Sequence, residues 1–143
     1  MSFDFSNLLW LVLIAVAMQP LLTARWYTVK RLQAIKAIEA AHGSRVITMI
    51  HRQESRSLFG FNVNRHIDLE DAQTIIAAIK ETPAERPIDL VLHTPGGLVL
   101  AAMQIARAVE AHPARVRVFV PVYAMSGGTL IALPADEIVL GEF

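Results

Sequence analysis

Ser126 lies in the run Tyr123-Ala124-Met125-Ser126-Gly127-Gly128-Thr129, among residues small enough to let the chain turn tightly and leave a hydroxyl uncovered. A hydroxyl so placed is a candidate nucleophile for a carbonyl carbon. That chemistry also needs a base to take the hydroxyl proton and N–H donors for the oxyanion. If a helix starts at Ser126, its free N–H groups favour negative charge nearby, and the Gly127 N–H becomes one candidate donor. A second candidate comes from His93-Thr94-Pro95-Gly96-Gly97, because glycine lets another chain approach the backbone closely. The Gly97 N–H is the expected donor there, with Gly96 as the alternative. Gly96 is also read as a substrate-binding position, since peptides often dock by adding a strand. Alone, each motif is weak: a Ser-Gly-Gly is usually a turn or a helix cap, and a Pro-Gly-Gly is usually a turn. The run is not a Gly-x-Ser-x-Gly elbow, since Ala124 stands where its first glycine would be.

The base is harder to find. No Lys and no His follows Ser126, and the acidic residues there are Asp136, Glu137 and Glu142. Upstream, His93 ends a strand beside the glycine turn and reads first as a residue that orders Thr94-Pro95. Lys80 falls near a helix C-terminus, where a cation is favourable in any case. Lys30 and Lys36 flank an apolar segment, His51 and His66 border a charged loop as surface residues, and His42 and His112 fall at helix ends. Two explanations follow: a segment of a longer protein, which the abrupt stop after a strand favours, or a non-catalytic relative.

The elements that would carry these residues alternate. Strands are expected at Arg45–His51, Ile88–His93, Val116–Val120 and Asp136–Leu140, from their β-branched and apolar runs. Helices are expected after Asp68, which reads as an N-cap with Glu70 and Asp71 in the first turn, and over Leu98–Ala111 and Thr129–Leu133. Arg52–His66 reads as a loop or short hairpin. Such alternation implies a mainly parallel sheet covered on its faces, with ligands beyond the carboxyl ends of the strands. Both glycine turns lie just there.

Composition narrows the classes. The chain has 143 residues, 54% of them hydrophobic, with 13 basic and 13 acidic side chains and no cysteine. Disulfides, thiolate metal sites and a cysteine nucleophile are excluded together, and the charge balance gives no reason to expect a nucleic-acid partner. No cofactor is expected, and no metal, because the histidines lack a ligand spacing.

Phe5–Leu22 carries no charge and approaches the length of a membrane-spanning helix. Asp4 precedes it, while Arg25, Lys30, Arg31 and Lys36 follow closely; the positive-inside rule then puts everything after Leu22 on the cytoplasmic side. Trp26 and Tyr27 suit the interface. A signal peptide is disfavoured because no basic residue precedes Leu8. Trp26–Ala41 has helical periodicity, with Gly43 as a left-handed cap. The expected organisation is an anchor over residues 1–24, an amphipathic linker helix over 25–43 and a partial catalytic domain over 44–143.

The order strand, His93-Thr94-Pro95-Gly96-Gly97, helix, strand, Ala124-Met125-Ser126-Gly127-Gly128, helix resembles the Clp protease/crotonase fold. It is most similar to the serine dehydrogenase proteinase family, related to signal peptide peptidase A, over roughly Arg45 to Phe143. The resemblance implies an α/β domain with flanking helices, incomplete here and preceded by a transmembrane helix. It also implies an ATP-independent serine endopeptidase of Ser-Lys or Ser-His-Asp type, with Ser126 as nucleophile and the Gly96-Gly97 turn in the oxyanion hole. Peptides or membrane proteins would be substrates, and the chain would form homo-oligomers. A crotonase-like acyl-CoA enzyme and an inactive membrane scaffold of the same fold remain as alternatives.

Overall fold

The computed structural model describes residues 5–51, 57–58, 61–62 and 66–142. The chain divides into two compact units, Met1–Ile38 and Glu39–Phe143. The first is formed by helix α1 (Phe5–His42), whose last residues belong to the second unit. Pro20 sits inside α1 and does not end it, because the Ala-, Lys- and Arg-rich stretch beyond is itself strongly helix-forming. Within α1, Leu9–His42 is long and apolar enough to cross a membrane, with a mean hydropathy of 1.5 in its most apolar window and none of that window buried. Gly43 takes φ +64°, the left-handed cap expected after the helix.

The second unit is built from β1 (Arg45–Ile50), β2 (Ser57–Leu58), β3 (Phe61–Asn62), α2 (Leu69–Lys80), β4 (Ile88–His93), α3 (Val99–Ala111), β5 (Val116–Val120), α4 (Gly127–Ala132) and β6 (Glu137–Leu140). β1, β4, β5 and β6 form one parallel sheet in that order. β2 and β3 make a two-stranded antiparallel pair within the expected hairpin; the rest of that segment, 52–56, 59–60 and 63–65, lies outside the described residues. Asp68 caps α2 as expected: it accepts the Asp71 N–H at 2.9 Å while Asp71 Oδ2 accepts the Asp68 N–H at 3.1 Å. α4 begins two residues before the expected Thr129, directly after Ser126.

Each crossover steps to the next strand in the same direction, so connections of one hand set every helix on the same face. The core shows this. Ile47 and Met49, Ile88, Leu90 and Leu92, and Val116, Val118 and Val120 point to one side, where Ile75 and Ile79 of α2, Ile105 and Val109 of α3 and Ile131 of α4 cover them. The expectation of helices over both faces is therefore met on one face by α2, α3 and α4.

The opposite face carries a buried carboxylate. Asp89, 1% exposed at its side chain, accepts Arg117 Nε at 2.8 Å and Nη2 at 2.9 Å. It also meets His42 Nδ1 at 2.7 Å and accepts the Ser44 hydroxyl at 2.8 Å. Burial alone would raise its pKa, but the bonds from His42, Arg117 and Ser44 and the charge of Arg117 outweigh that and hold it below the ordinary aspartate value. A lowered folded pKa stabilises the fold above the unfolded value, and that contribution is lost as pH falls through the folded one. Asp89→Asn is expected to cost about 3 kcal/mol at neutral pH, at the low end for a broken buried pair because Arg117 still reaches water. In thermal unfolding at several pH values, the gap between wild type and variant closes below the ordinary aspartate range. A gap that widened with acidity would contradict the assignment.

Candidate active site

The parallel pairing of β4 with β5 continues past the strand ends, where it brings the two glycine turns together. Thr94 donates its N–H to Tyr123 O at 3.2 Å, and its carbonyl accepts the Met125 N–H at 3.0 Å. A parallel bridge between Thr94 and Ala124 follows. The chain next reverses: Gly128 N–H donates to Met125 O at 2.9 Å, closing a four-residue turn with Ser126 at its first central position. Ser126 has φ 51° and ψ −117°, the combination of a type II′ turn, where glycine is the usual residue. It is the only non-glycine with positive φ among the described residues. Holding a side chain there costs about 1–3 kcal/mol.

Ser126 stands at the start of α4 but does not cap it, since its hydroxyl makes no bond to the helix N–H groups. The residue is exposed and its hydroxyl is uncommitted among the described residues. Its carbonyl accepts the N–H groups of Thr129 and Leu130, and Gly128 N–H is taken by Met125. Gly127 N–H donates to no acceptor among the described residues.

The other turn packs against this one. Gly96 has φ +102°, and a Cβ there would sit 2.7 Å from both Met125 O and Ser126 Cβ. Only glycine permits that approach. Its N–H donates to Thr94 Oγ1 at 3.1 Å and its carbonyl accepts the Ile67 N–H at 2.9 Å. Gly96 therefore offers close approach, and both its backbone groups are engaged within the chain. Leu98 N–H donates to Ile67 O at 2.8 Å, so Ile67 pairs in parallel with Gly97. The Gly97 N–H is left without an acceptor among the described residues. A Cβ on Gly127 would lie 3.5 Å from Gly97 N, so the two turns approach closely at these residues. Beside Gly97 opens a cleft of about 870 Å³, lined among others by Thr48, His51, Ile67 and Asp71; Ser126 lies outside it.

None of the upstream base candidates bonds to Ser126. The His93 ring packs on Tyr123, 4.3 Å between centroids. His112 meets Arg86 O at 2.9 Å, His42 meets Asp89, and the Lys30 ammonium lies 3.7 Å from the Trp26 ring centre. His66 and Lys80 are exposed. Among the described residues no cluster of three metal-ligating side chains occurs. One expectation is corrected: His51 is not a surface residue but is 4% exposed. Its Nδ1 is 2.9 Å from Thr94 Oγ1 and its Nε2 is 3.2 Å from Asp71 Oδ2. Burial follows from the register: β1 pairs with β4 so that Ile50 stands opposite His93, and the next residue necessarily meets Thr94. No local signal in the sequence carries that register.

The profile of the ClpP-like SDH-type serine proteinases matches residues 1–143, the entire chain. The chain belongs to that family. Two uncharacterized proteins of Methanocaldococcus jannaschii are similar to this ClpP-like family member. One is 51% identical over 141 residues, covering 99% of this chain and 49% of its own length. The other is 50% identical over 123 residues, covering 86% of this chain and 42% of its own. The chain thus spans about half the length of the curated relatives it matches. The parallel four-stranded sheet with its helices is consistent with a ClpP-like fold.

Proposed function

We propose that this chain carries the nucleophilic half of a serine peptidase site, with Ser126 as nucleophile and the N–H groups of Gly97 and Gly127 as the oxyanion donors. The observation that carries this is the strained serine: an exposed, uncommitted hydroxyl held at a positive φ where glycine would cost less. Attack of Ser126 Oγ on the scissile carbonyl would form a tetrahedral adduct whose oxygen takes up charge beside two N–H groups that have no acceptor among the described residues. Gly96, engaged through both backbone groups, keeps the two turns in contact. The base that accepts the Ser126 proton comes, in this reading, from another copy in a homo-oligomer or from the part of the longer relatives outside the matched region. Membership of the ClpP-like serine proteinases supports the reaction class. Peptides or membrane proteins are the proposed substrates.

The full-length protein tests this with a fluorophosphonate probe. Covalent labelling that maps to Ser126 is the expected result. Absence of labelling in a preparation that cleaves peptides would refute the assignment.

The reading extends to location. α1 is apolar all round over Leu9–Met18, with the described side chains there exposed, as befits a helix facing lipid. The proposed arrangement is an anchor over residues 1–24, a juxtamembrane helix over 25–43 and the catalytic unit over 44–143 in the cytoplasm. Lys30 over Trp26, with Arg25, Arg31 and Lys36 nearby, supports that orientation. A reporter fused after Phe143 is expected to be active on the cytoplasmic side; activity on the outer side would reverse the topology.

A further inference from the structure

Asp71, His51 and Thr94 form a chain of side chains that ends on the glycine turn of the site. Thr94 is fully buried, and His51 nearly so. Asp71 Oδ2 lies 3.2 Å from His51 Nε2, within ion-pair distance. On its other side the His51 ring shares a hydrogen bond between Nδ1 and Thr94 Oγ1 at 2.9 Å. Thr94 Oγ1 in turn accepts the Gly96 N–H at 3.1 Å. The contacts run carboxylate, imidazole, hydroxyl, peptide N–H.

Thr94 is also the residue that joins the two turns through its backbone, and its Cγ2 lies where only a glycine fits at 128: a Cβ there would come within 2.6 Å. The orientation of its side chain is therefore not free. His51 holds the Thr94 hydroxyl through its bond at 2.9 Å, and that hydroxyl accepts the Gly96 N–H.

We propose that His51 and Thr94 are positioning residues: the Asp71–His51–Thr94 relay locks the Gly96 peptide and thereby aims the Gly97 N–H at the oxyanion. This rests on the reading of Gly97 as a donor. Neither residue touches the reacting atoms. Their effect is on how well an already uncommitted N–H is directed, which acts on the transition state more than on substrate binding. Asp71 is a poor probe, because the same Oδ2 closes the cap of α2.

Thr94→Val and Thr94→Ser in the full-length protein separate the hydroxyl from the shape of the side chain. Thr94→Val is expected to lower kcat by about 10–100-fold, less than the 10²–10³ typical of deleting a donor, with KM within about twofold. Amide exchange at Gly96 should accelerate in the same variant. Thr94→Ser should recover most of both. Wild-type kcat and Gly96 exchange in Thr94→Val would overturn the relay. If Ser126→Ala turned over like wild type, the peptidase reading would fail instead, while the Gly96 exchange would still judge the relay.

Discussion

Ser126→Ala is expected to abolish turnover, by about 10⁴–10⁶-fold in kcat, and to leave thermal unfolding nearly unchanged, whereas Ser126→Gly is expected to abolish turnover and raise the unfolding temperature. The expected loss follows from removing the proposed nucleophile. The stability difference follows from the backbone. Alanine at φ 51° and ψ −117° keeps the same crowded conformation and gives up no hydrogen bond, since the Ser126 hydroxyl makes none among the described residues. Glycine adopts that conformation without the roughly 1–3 kcal/mol of strain, and gives back about 1 kcal/mol through the greater freedom of its unfolded chain. The expected net gain of Ser126→Gly over Ser126→Ala is about 1 kcal/mol, read as a shift in thermal unfolding of the full-length protein. A glycine variant less stable than the alanine one would mean that the turn is not strained, and the argument for a functional serine would lose its physical basis.

Gly97→Ala is expected to damage both stability and activity. A Cβ at this position would press into the Ile67 backbone N and O far inside van der Waals contact and would come within 2.8 Å of its Cα. The clash is with main chain, which cannot swing aside. Relief requires parting the Ile67–Gly97 bridge and its two bonds, Ile67 N–H to Gly96 O and Leu98 N–H to Ile67 O. Overpacking together with two lost buried bonds suggests a cost of about 2–4 kcal/mol. The same displacement moves the Gly97 N–H, so kcat of the surviving folded fraction should fall by about 10²–10³. Normalising turnover to the folded fraction separates the two effects. Full specific activity in that fraction would exclude Gly97 as a donor.

The contrast between Gly97 and its neighbour Gly96 lies beyond the reach of sequence. Both read as possible donors in a Pro-Gly-Gly run, and only the parallel pairing with Ile67 and the bond to Thr94 commit one N–H and leave the other. Ser126 shows the same division. Its small neighbours mark a tight turn, but a turn and a helix cap are both open to Ser-Gly-Gly. The positive φ at Ser126 belongs to the turn closed by Gly128 N–H on Met125 O, and Met125 is itself held by Thr94 of the adjacent strand.

By itself the sequence determined what depends on near neighbours. β4 and β5 fall where their β-branched runs lie, Asp68 and Asp71 cap α2, Gly43 ends α1, and the charge-free segment after Asp4 is helical. Periodicity, capping and glycine conformation act within a few residues and can be read there. The tertiary structure alone decided which face α2, α3 and α4 cover, that His51 is buried beside Thr94, and that the Gly97 and Gly127 N–H groups, on turns in close contact, have no acceptor among the described residues. His51 and Thr94 are 43 positions apart. Their contact is a consequence of strand register, which the whole sheet and its core settle together and no local pattern encodes.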